Sequence, residues 1–166
     1  MSVYVVDSNF FIQAHRVSYP LDVAFSFWNK VKQLANDGKI ISIDKVKQEI
    51  YQNEDALKQW CVANLTRDFF KDTATVMASY AQVAAWAASQ SSHYLANALA
   101  EFLHADEADA YIVAYVLADI NNRIVVTQEI SEPNRRNKVK IPDACNALNI
   151  RFVNVIDMFR GLGETF

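Results

Sequence analysis

The stretch from Asp109 to Leu117, DAYIVAYVL, restricts the fold of this chain more than any other. After its first residue every position is apolar or aromatic, so a helix formed here has no face that suits water and must be buried all round. The stretch is also shorter than the roughly 18 apolar residues that indicate a membrane span. The chain therefore needs an interior large enough to enclose a helix.

Three acids, Asp106, Glu107 and Asp109, stand at the head of this apolar run. Two like charges about 5 Å apart repel by ~3 kcal/mol at an effective dielectric constant of ~20. Acids at a helix start also interact favourably with the helix dipole, and Asp106 with Asp109 has the spacing of an N-cap and an N3 residue. The pattern leaves open whether these acids cap the helix or face a cation.

Length and composition predict one domain, residues 1–166, with a substantial core. Hydrophobic residues make up 52% of the chain, and the net charge of −3 argues against a broadly basic nucleic-acid binder while allowing a local patch. Cys61 and Cys145 form neither a metal-binding pattern nor a disulfide framework. Without a signal peptide pattern or a membrane span, we expect a cytoplasmic protein with no membrane contact.

Short apolar runs alternate with helical patterns along the chain. Strands are predicted at 3–6, 40–43, 123–127 and 151–156. Helices are predicted within 19–38, from residue 44, over 73–90 and after residue 142, the first with an inner face of Val23, Phe27, Val31 and Leu34. This alternation predicts an α/β fold, a three-layer sandwich with a mainly parallel central sheet flanked by helices.

Four acids from separate segments are expected to meet at one edge of that sheet. Asp7 directly follows the first strand, and Glu129 lies two residues beyond the third. Asp109 begins the helix that leads into the third strand, and Glu49 lies one to two turns into the helix after the second. Ligands of open parallel sheets bind at the carboxyl ends of the strands, so this edge is the candidate site.

Each of these acids also has a purely structural interpretation. Asp7 could form an Asx-turn at a strand end, and Glu49 could be a solvated helix residue beside Lys45. Glu129 could be an ordinary loop acid. Taken together, however, four carboxylates at one edge are hard oxygen ligands suited to Mg²⁺ or Mn²⁺, and such an ion would offset their repulsion.

Several segments resemble the motifs of PIN-domain nucleases, in order along nearly the whole chain. VYVVDSNFFI resembles their first strand, which ends in Asp followed by Ser or Thr, and DAYIVAYVLA resembles their Asp-led helix. RIVVTQE resembles their strand ending in Thr-x-Asp, and VKQEIYQNEDALKQW resembles the helix that carries their Glu. The later KIPDACNALNIRFVNVIDMF resembles a bacterial PIN-like branch with an Ile-Pro-x-x-Cys segment.

The resemblance implies an endoribonuclease dependent on Mg²⁺ or Mn²⁺, commonly the toxin of a toxin–antitoxin pair, as in VapC-like proteins. It implies that metal-activated water hydrolyses RNA phosphodiesters. By position, the catalytic and metal-binding acids would be Asp7, Glu49, Asp109 and Glu129, with Asp106 as a possible extra ligand. Asn9 and Thr127 would orient ligands or water by hydrogen bonding, or else are only turn residues at the strand ends.

Two features depart from the PIN pattern. Glu129 stands where Asp is commoner in the family, and Asp143 could replace it, although its place after Pro142 also suits a helix start. The segment after Glu129 is longer than in small toxins of the family. It is also basic, so Arg135, Arg136, Lys138 and Lys140 are candidate RNA-binding residues, or else a solvated loop.

Other functions stay open at this point. The chain could be a catalytically idle, PIN-like metal-binding module, whose alanine-rich segment around 74–88 pairs with a partner or a second copy in a homodimer. It could also be a nuclease that acts on DNA or a flap. If it is a toxin, an antitoxin protein would have to block it, and a basic residue over the acidic pocket would do so.

Overall fold

The computed structural model describes residues 1–166 and is built around a parallel sheet. Its strands are Val3–Val6 (β1), Ile40–Ile43 (β2), Phe70–Lys71 (β3), Arg123–Val126 (β4) and Phe152–Val153 (β5). They lie in the order β3-β2-β1-β4-β5, and every neighbouring pair is parallel. The predicted α/β class, with a parallel central sheet flanked by helices, is confirmed.

Nine α-helices surround this sheet. Their bounds are Ser8–Gln13 (α1), Phe25–Asn36 (α2), Asp44–Tyr51 (α3), Ala56–Asn64 (α4), Met77–Ser89 (α5), Ala96–Phe102 (α6), Asp109–Leu117 (α7), Ile141–Ala147 (α8) and Val155–Leu162 (α9). A π-helical turn, Ala14–Ser18, continues α1, and short 3₁₀ turns occupy Arg67–Phe69 and Thr73–Val76. None of the helices combines the length and hydrophobicity that crossing a membrane requires.

The apolar helix α7 is enclosed, as its sequence predicts. It packs against β2 and β4 of the sheet and against α5 and α8. All seven residues from 110 to 116 are buried, and the ring of Tyr111 stacks on that of Tyr80 with the centroids 4.4 Å apart. The buried hydrophobic side chains of the protein form one continuous cluster, of which α7 is part.

The strand register fixes the position of the candidate site. Val6 in β1 is aligned with Val126 in β4, so Asp7 and Thr127 leave the sheet side by side. The amide of Asp7 still donates to the carbonyl of Val126, at 3.2 Å. Because all strands point the same way, the chain segments that follow β1, β2 and β4 begin at one edge, here called the carboxyl edge.

The structure corrects two predicted elements. Val23 was predicted on the inner face of a helix, but a turn stabilised by the carbonyl of Pro20 delays α2 until Phe25 and leaves Val23 74% exposed. The strand predicted over 151–156 is only two residues long. Asn154 ends it, because its side chain accepts a hydrogen bond from the amide of Asp157 at 2.8 Å and caps α9.

Candidate active site at the carboxyl edge

Asp7 is the most enclosed acid of the carboxyl edge. Its side chain is only 3% exposed, and it is the N-cap of α1, because Oδ1 accepts a hydrogen bond from the amide of Phe10 at 2.8 Å. Its other oxygen, Oδ2, is buried and has no hydrogen-bond partner. A buried carboxylate oxygen without a partner is costly, which makes it a candidate ligand for a cation.

The surroundings of Asp7 favour its protonated form. The pKa of Asp7 is raised to about 7, mainly by burial and to a smaller extent by the charges of Glu129 and Glu49. Polar contacts with Thr127 and Phe10 lower this pKa, although the Thr127 hydroxyl does not reach Oδ2 with hydrogen-bond geometry. Without a cation, Asp7 therefore keeps its proton during part of the time near neutral pH.

Asp109 lies close enough to the same acids for their charges to raise its pKa. It is the first residue of α7 and is partly exposed, yet protein surrounds it so closely that burial raises its pKa to about 8. The charge of Glu129 adds to this rise in pKa, Lys138 opposes it, and Asp7 and Glu49 contribute smaller increases. The structure thus brings together Asp7, Glu49, Asp109 and Glu129, called the acidic cluster below.

The two glutamates of the acidic cluster are each anchored to the amino end of a helix. Glu49 Oε1 accepts a hydrogen bond from the amide of Ala108, the N-cap of α7, at 2.9 Å. Glu129 Oε2 accepts one from the amide of Ile141, the first residue of α8, at 2.8 Å. In each glutamate the second carboxylate oxygen makes no hydrogen bond within the protein and stays available.

Helix amino ends account for part of the stability of this cluster. Asp7 caps α1, Asp109 and Glu49 lie at the start of α7, and Glu129 lies at the start of α8. A carboxylate near a helix amino end gains typically 0.3–1 kcal/mol from the exposed amides and the dipole. The mutual repulsion of the acids is therefore reduced but not removed, because after burial, the largest cause, the charges of the neighbouring acids still contribute to the raised pKa values of Asp7 and Asp109.

The acidic cluster fits a hard divalent cation by its chemistry, but it is not a preformed ligand cage. No three Asp, Glu, His or Cys side chains already surround a single point. The partnerless Oδ2 of Asp7 and the free oxygens of Glu49 and Glu129 are nevertheless the donors that Mg²⁺ and Mn²⁺ favour. A bound cation would require these side chains to move closer together.

Two further acids from the sequence lie apart from this cluster. Asp106 is exposed, and its amide bonds Nδ1 of His104, so it neither joins the cluster nor serves as the predicted N-cap of α7. Asp143 is buried, and its two oxygens accept hydrogen bonds from the Ser131 hydroxyl and the Glu132 amide. It fixes the loop after β4, and only Glu129 of the two alternatives faces the other acids.

The two residues predicted to orient ligands differ in their surroundings. Thr127 is buried, and its hydroxyl accepts a hydrogen bond from the amide of Glu129 at 3.1 Å. This bond fixes the backbone from which the Glu129 side chain extends. Asn9 is exposed, and its side chain makes no hydrogen bond within the protein, so it is free to contact a ligand.

The basic loop contains more internal bonds than its sequence suggests. Arg135 bonds Asn137 and forms an ion pair with Glu132, and Arg136 donates to the carbonyl of His93. Lys138 is half-buried beside Glu107 and Asp109, and its charge partly offsets the rise in the pKa of both. Lys140 has no ion-pair partner in the protein.

The sequence reasoning missed a cavity beside Glu129. It has a volume of about 460 Å³, and its polar lining includes Asn9, Gln13, Arg16, Gln128, Glu129 and Lys140. Residues 9, 13 and 16 recur at helical spacing after Asp7, which is the signal that could have revealed it. Because the sequence analysis did not predict α1, it did not place these residues on one face of a helix.

The fold and the site together define an α/β protein whose parallel sheet carries a cluster of four carboxylates at its carboxyl edge, one of them buried. Residues 4–166 match the family described as Domain of unknown function (DUF4411), and the chain belongs to that family. No curated protein and no solved structure matches the chain.

Proposed function

We propose that this protein is an endoribonuclease dependent on Mg²⁺ or Mn²⁺. The observation that supports this most is the acidic cluster, in which four carboxylates from separate segments approach one another and Asp7 Oδ2 lies buried without a partner. The PIN-like order of motifs supplies the class of reaction, and the carboxyl edge of a parallel sheet is a usual place for a ligand.

In this proposal the acidic cluster would hold one or two cations. When bound, a divalent ion activates water and neutralises charge on the phosphate, as phosphodiester hydrolysis requires. The side chains of Asp7 and Asp109 would give up their protons to the solvent when the cation binds, because it replaces the proton as the compensating charge. Glu49 and Glu129 would stay anchored to α7 and α8 through one oxygen each.

The experiment that tests this proposal is cleavage of a mixed pool of labelled RNA with Mn²⁺, with Mg²⁺ and with EDTA. Wild type is run beside Asp109→Asn and beside Asp68→Asn, which changes an exposed acid whose side chain makes no hydrogen bond or ion pair and serves as the matched control. We expect metal-dependent cleavage by wild type and Asp68→Asn, with 5′-phosphate and 3′-hydroxyl products, and none by Asp109→Asn. Cleavage by Asp109→Asn at the wild-type rate would contradict the assignment.

A second candidate function is a metal-binding interaction module without turnover. The acidic cluster could bind an ion without positioning it for catalysis, because no three of its side chains already surround a single point. Calorimetric titration with Mn²⁺ separates the two: uptake of metal with no cleavage of RNA or of DNA flaps supports the module. Cleavage of DNA in preference to RNA would support metal-dependent hydrolysis of phosphodiesters but identify DNA as the substrate.

The proposal extends to a toxin that an antitoxin protein holds inactive. A ribonuclease of broad action is harmful to its own cell, so a partner with a basic side chain placed on the acidic cluster would be needed. We expect induced expression of wild type to arrest growth and expression of Asp109→Asn not to do so. Growth arrest by both wild type and Asp109→Asn would show that the toxicity does not depend on the acidic cluster.

A further inference from the structure

The cavity beside Glu129 is lined by two positively charged side chains that have no ion-pair partner in the protein. The side chain of Arg16 forms no ion pair and no hydrogen bond within the protein, and the same is true of the side chain of Lys140. Glu132, the other acid of the lining, is already paired with Arg135. Two unpaired positive charges therefore face one cavity at the border of the acidic cluster.

Free amide groups accompany these cations. The side chains of Asn9 and Gln13 make no hydrogen bonds within the protein, and both line the cavity. An amide offers two donors and an acceptor, so it can bond the edge of a nucleobase. Gln128 differs from them, because its carbonyl oxygen accepts a hydrogen bond from the amide of Val155, at 3.3 Å.

The dimensions of the cavity suit one nucleotide. Its volume of about 460 Å³ lies within the range of small-ligand sites, roughly 300–1,000 Å³. Glu129 lies both in the cavity wall and in the acidic cluster, so a strand that crosses the cluster would place its next nucleotide here. In an RNA duplex, pairing hides the Watson–Crick edges of the bases and the deep, narrow major groove keeps side chains from the other edges, whereas the bases of a single strand are free.

We propose that this cavity binds an unpaired nucleotide of single-stranded RNA next to the bond that is cleaved. Arg16 and Lys140 contact its phosphates, and Asn9 and Gln13 contact its base. This inference rests on the proposed ribonuclease function, which it deepens by naming the substrate as single-stranded and by placing one of its nucleotides beside the acidic cluster. Of the four basic-loop residues predicted to bind RNA, only Lys140 keeps that role, and Arg16 provides the second positive charge.

The test is binding of labelled oligonucleotides by fluorescence anisotropy. Single-stranded RNA is compared with a duplex RNA and a single-stranded DNA of the same sequence, in EDTA and again with Mg²⁺ in the Asp109→Asn chain. The double variant Arg16→Gln/Lys140→Gln is compared with Lys32→Gln/Arg67→Gln, which removes two exposed charges outside the cavity.

We expect single-stranded RNA to bind most tightly and the cavity variant to bind it roughly tenfold more weakly per lost contact at low salt. The slope of log affinity against log salt should fall by about 1.4, since each phosphate contact on a single strand contributes about 0.7. Gln13→Ala should leave this slope unchanged and alter the preference among oligomers of A, C, G and U. The control variant should behave as wild type.

The inference and the proposed function can fail separately. Equal loss of affinity in the cavity and control variants, or equal binding of duplex and single-stranded RNA, would overturn the inference even if wild type cleaves RNA. Preferential binding of single-stranded DNA would overturn the choice of RNA. If only the cavity variant lost affinity for single-stranded RNA and wild type cleaved no RNA, the result would support the nucleotide-binding cavity and contradict the proposed ribonuclease function.

Discussion

At the scale of single residues, the two carboxylate oxygens of Asp7 have different surroundings. One oxygen caps α1 and needs to accept a hydrogen bond, while the other lies buried without a partner. An asparagine would keep the oxygen that accepts from Phe10 and would remove the charge that burial disfavours. This difference allows the structural and the functional role of the residue to be separated.

Asp7→Asn should therefore lose activity without losing stability. We expect RNA cleavage to fall by more than the roughly 10- to 100-fold that loss of an outer hydrogen-bonding partner costs at a metal site. The melting temperature in EDTA at pH 8 should be equal to or above that of wild type, because the buried charge is gone. A large fall in melting temperature together with retained cleavage would contradict both expectations.

The pH dependence of stability follows from Asp7 and Asp109. Their pKa values are about 7 and about 8 in the folded protein, against 3.8 for an ordinary aspartate. Between these limits the folded chain binds more protons than the unfolded chain, so the free energy of unfolding decreases as the pH rises from about 4 to about 8. Urea unfolding in EDTA at several pH values would measure this decrease.

The matched comparison for the pH prediction is the double variant Asp7→Asn/Asp109→Asn. Other groups titrate over the same range in both proteins, so the difference between the two stability profiles isolates these carboxyls. We expect the double variant to be favoured over wild type increasingly as the pH rises. Profiles that stay parallel from pH 4 to pH 8 would show that the two pKa values are not raised.

Which acids could be found from the sequence depends on what each one contacts. Asp7 and Glu129 follow strands, and a parallel sheet sends its strand ends to one edge, so their proximity to each other was predictable. The anchoring of Glu49 to Ala108 and of Glu129 to Ile141 was not, because these bonds join segments far apart in the sequence. Local spacing favoured Asp106 as the cap of α7, whereas a glutamate from α3 has that place.

At the scale of elements, the carboxylate of Glu49 connects α3 to the start of α7, and that of Glu129 connects the loop after β4 to the start of α8. Glu49→Ala would leave the amide of Ala108 without its acceptor and should lower the free energy of unfolding by about 1 kcal/mol, as loss of a helix cap does. Glu49→Gln keeps an acceptor oxygen and should lose much less. Urea denaturation at pH 7 would compare the two variants.

The activity of the same pair separates capping from metal binding. Because Glu49→Gln retains the cap but lacks the charge, it should cleave RNA as poorly as Glu49→Ala while staying more stable. If Glu49→Gln were fully active, Glu49 would be a cap for α7 alone. The structural alternative noted for Glu49 as a solvated residue would then be replaced by a structural role that the sequence does not reveal.

The elements that sequence reasoning missed are short and depend on tertiary contacts. β3 has two residues, too few for an alternating pattern, and exists because it pairs with Ser42 and Ile43 of β2. α1 has six residues and depends on the cap that Asp7 provides. The long helices α5 and α7 were predicted because each has its hydrophobic pattern in its own sequence.

At the scale of the whole molecule, a cation that binds only the folded acidic cluster must stabilise the entire protein. At a metal concentration 100 times the dissociation constant, the gain is about 2.7 kcal/mol, which corresponds to about 5–10 °C in melting temperature for a chain of this size. We expect this shift with Mn²⁺ or Mg²⁺ at pH 8 and a smaller one at pH 5, where protons compete for Asp7 and Asp109.

Asp109→Asn is the control for this thermal shift, since it removes one oxygen charge from the cluster and leaves the surface elsewhere unchanged. The variant should show little change in melting temperature when metal is added. An equal shift in wild type and in the variant would place the bound ion outside the acidic cluster. An absence of any shift in wild type would argue against a resident cation.

The parallel sheet also determines when the acidic cluster can first assemble during synthesis of the chain. β1 is the central strand, and it waits for β4, since Val3 is aligned with Arg123. Parallel strands that pair over such a distance form late in folding, because a long loop must close first. Asp7 leaves the ribosome early, but its neighbour Glu129 follows only after most of the chain has been translated. The nascent polypeptide therefore lacks a complete acidic cluster until most of the chain has been made.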